Sequence, residues 1–134
     1  MKKAVIVPDS FKGTLSSQQV CDAIEKAVKN IFPQCITVKI PLSDGGEGFS
    51  RCISEICGGR IVSCTACDPY GKEIQTEYAV INGNTAVIET AAASGLSLAG
   101  NSPDPEKTST YGTGLMIKHA LENGCTRILL GLGG

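Results

Sequence analysis

Hydrophobic positions along this chain follow two rhythms, and the change between them near residue 60 organises its architecture. In the first, short β-branched runs alternate with longer one-face stripes. Lys3–Val7 is short, apolar and β-branched, which predicts a buried parallel strand. Val20, Ala23, Ile24, Ala27, Val28 and Ile31 then recur at the spacing of one helix face and predict a helix from about Ser17 to Asn30. Ser16 and Gln19 supply a capping box at its start, and Phe32-Pro33 stops it. Ile36–Leu42 repeats the strand pattern. Phe49–Cys57 repeats the helix, with Phe49, Cys52, Ile53 and Ile56 inward and Gly58-Gly59 ending it in left-handed conformations. This βαβα order is the start of an open α/β sheet, Rossmann- or flavodoxin-like.

The second rhythm is β-rich. Arg60–Cys67, Glu73–Ile81 and Thr85–Thr90 predict three strands, with turns at Asp68–Lys72 and Asn82-Gly83-Asn84. The second turn is a hairpin signal, because Asn and Gly tolerate positive φ, so antiparallel pairing is expected here. A helix opens at Thr108–Gly114 and runs to about Asn123, Gly124 ends it, and Arg127–Leu132 forms a last strand leading into Gly133-Gly134. The expectation is two α/β lobes, residues 1–60 and 61–134, the second carrying the antiparallel strands. A strand that ends in Gly-Gly is where an α/β chain turns into its next helix. The sequence therefore reads as the truncated front part of a longer protein.

Composition narrows the function. A net charge of −1 over 134 residues, with no basic stripe, gives no reason to expect a nucleic-acid or membrane partner. The apolar run after Met1 is too short for a signal peptide or a membrane span, so a cytoplasmic location is expected. Seven cysteines should then be reduced thiols packed as small apolar residues. Cys64-Thr65-Ala66-Cys67 has CxxC spacing, but a turn rather than a helix follows it, and Cys52 and Cys57 fall on different faces of their helix. His119, the single histidine, sits mid-helix among Ile117, Lys118 and Ala120 and reads as a packing or surface residue.

Candidate chemistry collects in loops at element ends. Ser43-Asp44-Gly45-Gly46-Glu47-Gly48 places three glycines and two carboxylates at a strand-to-helix corner. Each glycine there costs backbone entropy, and such a corner lets a backbone approach a ligand or lets amides at a helix start hold an anion. Pro8–Thr14, Glu89–Leu96 and Thr108–Gly114 are similarly rich in hydroxyls, glycines or acids. There is no Walker A sequence and no GxGxxG after the first strand, which disfavours a nicotinamide dehydrogenase. Asp9, Asp44 and Glu47, with Lys12 and clustered amides, suit phosphoryl transfer. That reaction needs a cation or metal to neutralise charge and a base to orient the attacking hydroxyl, and carboxylates can hold Mg²⁺. Each residue also has a plain role: Asp9 as a turn carboxylate, Glu47 as a favourable charge near a helix start, Lys12 as a solvated loop charge. Glu89 is open between a substrate role and a partner for backbone N–H groups.

The stretches Val7–Ser16, Pro41–Gly48, Glu89–Leu96 and Thr108–Gly114 resemble, in order and spacing, the motifs of the bacterial glycerate kinase family, of the glycerate 2-kinase type. The resemblance runs over the whole chain. It implies ATP-dependent phosphorylation of D-glycerate with Mg²⁺ by a two-domain α/β enzyme whose active site lies in the cleft between domains. Members are far longer, so this chain matches an N-terminal portion expected to be inactive alone. Ser43 stands where alanine is usual and Phe49 where a small or β-branched residue is common; neither is an acidic or glycine position of the loop. On this footing Asp44, at a strand end beside glycines, is the leading catalytic carboxylate, and Lys12 would meet a phosphate or the substrate carboxylate. Asp9, Ser10, Gly45, Gly46, Glu47, Ser94, Gly95, Thr108, Ser109, Gly112 and Thr113 would line the substrate and phosphate sites. The alternative is a non-catalytic α/β module that binds an anionic metabolite or a partner chain. Exposed strand edges would favour self-association of the shortened chain.

Overall fold

The computed structural model describes residues 2–11, 14–101 and 103–133. The chain forms two compact units, residues 1–44 and 45–134. The division falls ahead of the second helix, whereas the sequence reading placed it after that helix. The reason is packing: this helix lies against strands of the second unit.

In the first unit, β1 (Lys3–Ile6) and β2 (Ile36–Lys39) pair in parallel through the crossover helix α1 (Ser17–Ile31). The capping box forms as expected, Ser16 Oγ accepting from Gln19 N at 3.2 Å and Gln19 Oε1 accepting from Ser16 N at 2.8 Å. Both strands are shorter than predicted, although Ile40 N still donates to Ile6 O and Leu42 N to Pro8 O beyond them. Burial differs from expectation. Val5 is 57% and Ile36 64% exposed, and Ile6 is the buried residue of β1. Among the described residues of this unit α1 is the one helix, so the two-stranded sheet has cover on a single side.

The helix is also turned from its predicted face. Val20 and Cys21 are buried, Val28 is half-buried, and Ala23, Ile24, Ala27 and Ile31 are exposed. Polar contacts accompany that rotation. Lys39 Nζ at the end of β2 reaches Asp22 Oδ1 at 2.8 Å and Glu25 Oε2 at 2.9 Å, and Thr37 Oγ1 also donates to Glu25. Hydrogen bonding to Lys39 holds both carboxyls below their usual range, and the same two partners, Asp22 foremost, raise Lys39 above the usual lysine range.

The second unit is built on a four-stranded sheet of order β3-β4-β5-β6, where β3 is Arg60–Cys67, β4 Glu73–Ile81, β5 Thr85–Glu89 and β6 Arg127–Gly131. The antiparallel β3-β4-β5 ladder matches the predicted hairpins, and β6 adds in parallel to β5, Thr85 opposite Arg127 through Glu89 opposite Gly131. The turn between β4 and β5 needs positive φ at two successive residues, and Asn82 (51°) and Gly83 (77°) supply it. Before the sheet comes α2 (Phe49–Cys57), as predicted; Gly58 ends it at φ 64°. Gly59 has a different role from the left-handed one expected, since a Cβ there would lie 2.8 Å from Val80 O. After β5 come the single turn α3 (Ala91–Ser94), where a loop was expected, and then α4 (Tyr111–Glu122).

Side chains alternate across the sheet and fill two layers. Tyr78, Val80, Ala86 and Ile88 meet Met116 and Ala120 of α4 on one face, while Ala79, Ile81 and Val87 meet Phe49 and Ile53 of α2 on the other. Ile56 of α2, expected inward, is exposed because this short helix buries Ser50, Cys52 and Ser54 instead. His119 has the packing role: its Nδ1 lies 3.1 Å from Tyr78 Oη, with the rings edge to face. Cys64 and Cys67 are free, buried and within β3, and burial pushes the Cys64 thiol up, the reverse of what a redox nucleophile requires. Among the described residues no helix is long and apolar enough to cross a membrane.

Candidate active site

The parallel pair β5–β6 ends, at its carboxyl side, in Glu89-Thr90 and Gly131-Leu132-Gly133, the position where open α/β sheets bind ligands. Against this end lies the corner Gly45–Gly48. Gly45 (φ 107°) and Gly48 (φ 84°) both need the left-handed region. The approach is backbone on backbone: a Cβ on Gly45 would sit 3.2 Å from Leu132 O, and one on Gly133 would sit 2.9 Å from Gly46 Cα. A Cβ on Gly131 would collide with Gly45 O and with the Phe49 ring. Phe49 therefore fills the space that Gly131 leaves.

Glu89 and Thr90 tie the two glycine segments down. The Glu89 carboxylate accepts from Gly48 N (3.2 Å) and Ser50 N (2.9 Å), and also from Ser50 Oγ (3.2 Å). It thereby caps α2, whose own N-cap residue, Gly48, has no side chain to do so. Thr90 Oγ1 donates to Gly133 O at 2.9 Å and accepts from Gly133 N at 3.2 Å, and Thr90 N donates to Gly131 O. Of the two roles open for Glu89, the backbone partner is the one observed. One expectation changes with it. The amides at the start of α2 hold the chain's own carboxylate, so they are not the phosphate cradle that the glycine-acid pattern suggested. The sequence held part of this signal, an acid at a strand end and a glycine in place of a capping side chain at a helix start.

A second group of expected site residues gathers beside α3 and the start of α4. Ser94 Oγ and Thr113 Oγ1 are 2.7 Å apart, Thr113 being buried. Gly112 is required by close packing, since a Cβ there would lie 1.9 Å from Cys67 O. Ser94, Gly95 and Thr108 line a groove of about 470 Å³ with Pro69, Leu96 and Pro103. Ser109 N donates to Pro69 O, and its Oγ accepts from Tyr111 N. Tyr70 Oη accepts from Asp104 N at 3.1 Å, pinning the connection that forms one wall.

Asp9 and Ser10 belong to the first unit, where Asp9 Oδ1 accepts from Ser10 N at 2.6 Å. Lys12 lies outside the described residues. Asp44 is the last residue of the first unit and is exposed, as is Glu47. Among the described residues no three His, Cys, Asp or Glu side chains cluster as a metal cage.

Comparison with known proteins gives this geometry a lineage. The sequence matches the glycerate kinase family over residues 4–134. It is 41% identical to the glycerate kinase of Haemophilus influenzae and 41% identical to the glycerate 2-kinase of Escherichia coli, each over 98% of this chain and 35% of the relative. A crystal structure described as glycerate kinase 2 from Salmonella typhimurium LT2 superposes with a TM-score of 0.75 at 41% identity, covering 99% of this chain and 36% of that one. The chain thus spans about a third of the length of the relatives it matches. Its four loop motifs, its mixed α/β architecture and these matches agree, and the chain belongs to the glycerate kinase family.

Proposed function

We propose that this chain is the N-terminal portion of a glycerate kinase that transfers a phosphoryl group from ATP to D-glycerate in the cytoplasm. The observation that carries the reading is the family match across residues 4–134 together with the glycine-acid corner seated at the carboxyl ends of β5 and β6. Phosphoryl transfer requires positioning and charge stabilisation more than covalent help from the protein. The glycines of the corner let it close backbone to backbone on the end of β6, and Asp44, covalently adjacent, serves as the base that takes the hydroxyl proton of glycerate. Lys12 meets a phosphate or the glycerate carboxylate. Ser94, Gly95 and Thr108 offer a groove with polar edges on mainly apolar walls, a form that suits part of the nucleotide or substrate.

Magnesium fits this donor chemistry. Mg²⁺ takes one or two carboxylates plus substrate phosphates and water rather than an all-protein cage. Asp44 and Glu47 are exposed carboxylates that would hold it. When bound, the ion neutralises charge on the phosphates. The two units, 1–44 and 45–134, each begin one of the two domains of the whole enzyme in this reading.

The test is direct. The full-length gene product, incubated with ATP, Mg²⁺ and D-glycerate, should release ADP and a phosphoglycerate identifiable by ³¹P NMR. Binding of an organic acid with no ADP release would favour the non-catalytic module.

A further inference from the structure

Resting on the kinase reading, we infer that Glu89 is a positioning residue of the active site: it sets the glycine-acid corner that follows Asp44, and it does so without touching substrate. The geometry points to this role in three ways. Glu89 is the last residue of β5, held opposite Gly131, so its carboxylate is anchored to the rigid sheet rather than to a loop. Both of its oxygens are engaged, Oε1 by Gly48 N and Oε2 by Ser50 N and Ser50 Oγ, which leaves little capacity for a ligand. The corner it grips has Gly45 and Gly48 in left-handed conformations, and the N-cap residue of α2 has no side chain to cap the helix.

Glu89 also works with its neighbour. Thr90 clamps Gly133 while Glu89 clamps Gly48 and Ser50, so two consecutive residues fix the two glycine segments that touch backbone to backbone. Moving either would shift the corner, and a displacement of about 1 Å at a reacting group can cost about 100-fold in rate.

Glu89→Gln is the discriminating substitution because it keeps size and shape. Whichever way the amide is turned, its NH₂ faces a backbone N–H, so one of the two main-chain bonds is replaced by a donor–donor contact. In the full-length protein we expect kcat to fall about tenfold to 100-fold, with KM for glycerate and for ATP within about twofold. Hydrogen exchange at the Gly48 and Ser50 amides should quicken while amides of α4 stay as in wild type. Ser50→Ala, which removes only the hydroxyl donor, should give a smaller fall in kcat of the same character and covers the case in which Glu89→Gln folds poorly. Unchanged exchange at Gly48 and Ser50, unchanged kcat, or a loss confined to KM would each overturn the positioning role. If the wild-type protein does not phosphorylate glycerate, the kinase reading fails and the catalytic half of this inference with it. The exchange measurement would still decide whether Glu89 holds the corner.

Discussion

The two units place similar strand sequences in very different surroundings. In the second, α4 and α2 cover opposite faces of a four-stranded sheet, and Tyr78, Val87 and Ile88 are fully buried. In the first, among the described residues, a two-stranded sheet has one helix, and Val5, Ile36 and Ile31 are exposed. The apolar patterns of Lys3–Val7 and Thr85–Thr90 look alike, yet one becomes a half-covered strand and the other the centre of a core. An apolar run reports that a strand needs cover; whether cover is supplied depends on elements elsewhere in the sequence. The first unit has local devices in the capping box of α1 and the Lys39–Asp22–Glu25 contacts, while the second buries both faces of its sheet.

Substitutions should expose this contrast. The largest effect is expected from Ile88→Ala, which opens a cavity between the sheet and α4 and should cost about 3–4 kcal/mol in urea unfolding followed by a probe in the second unit. Val5→Ala in the first unit should cost well under about 1 kcal/mol, because its side chain is largely in water already. Similar losses at both positions would break the comparison.

Next in size is Gly112→Ala, whose Cβ would run into the Cys67 carbonyl and crowd Ala93 and should destabilise the second unit by about 2–3 kcal/mol. Gly114→Ala, two residues along α4 with open space around it, should instead stabilise by up to about 1 kcal/mol. In the first unit, Ser16→Ala removes half of the capping box and should cost about 1 kcal/mol, read from the helical circular dichroism of α1 on heating.

The smallest effect is pH dependence in the first unit. Asp22 and Glu25 have lowered carboxyls in the folded state, so their contribution is present above the ordinary carboxylate range and is lost as pH falls through their depressed values. Lys39 is raised, so its contribution is present below the ordinary lysine range and is lost only as pH climbs through its higher folded value. Neutral pH should therefore be a plateau for this unit, with the first loss on the acid side. Lys39→Met should flatten that acid limb, as monitored by amide chemical shifts of α1.

Much of this was legible in the chain because each signal was local. The β-strand and helix periods, the Ser16–Gln19 capping box, the Asn82-Gly83 turn and the Phe49–Cys57 helix depend on neighbours within a few residues. The rotation of α1 was not, since the edge facing β2 meets Lys39, seventeen residues beyond Asp22. Nor was the role of Gly131, which follows from a contact with Phe49 and Gly45 far away in sequence. In the candidate site, Gly45–Gly48 lie against the end of β6, and Ser94 and Thr108 line a groove. The occupant of the α2 N-terminus was not the expected one, because an internal carboxylate on β5 competes with any external anion for the same amides.

The central claim, that the corner after β2 belongs to a phosphoryl-transfer site with Asp44 as its base, is tested most directly by Asp44→Asn in the full-length protein. Steady-state turnover of D-glycerate with ATP should fall at least about 100-fold, with the melting temperature and the substrate KM values near wild type. Wild-type turnover in that variant would contradict the account.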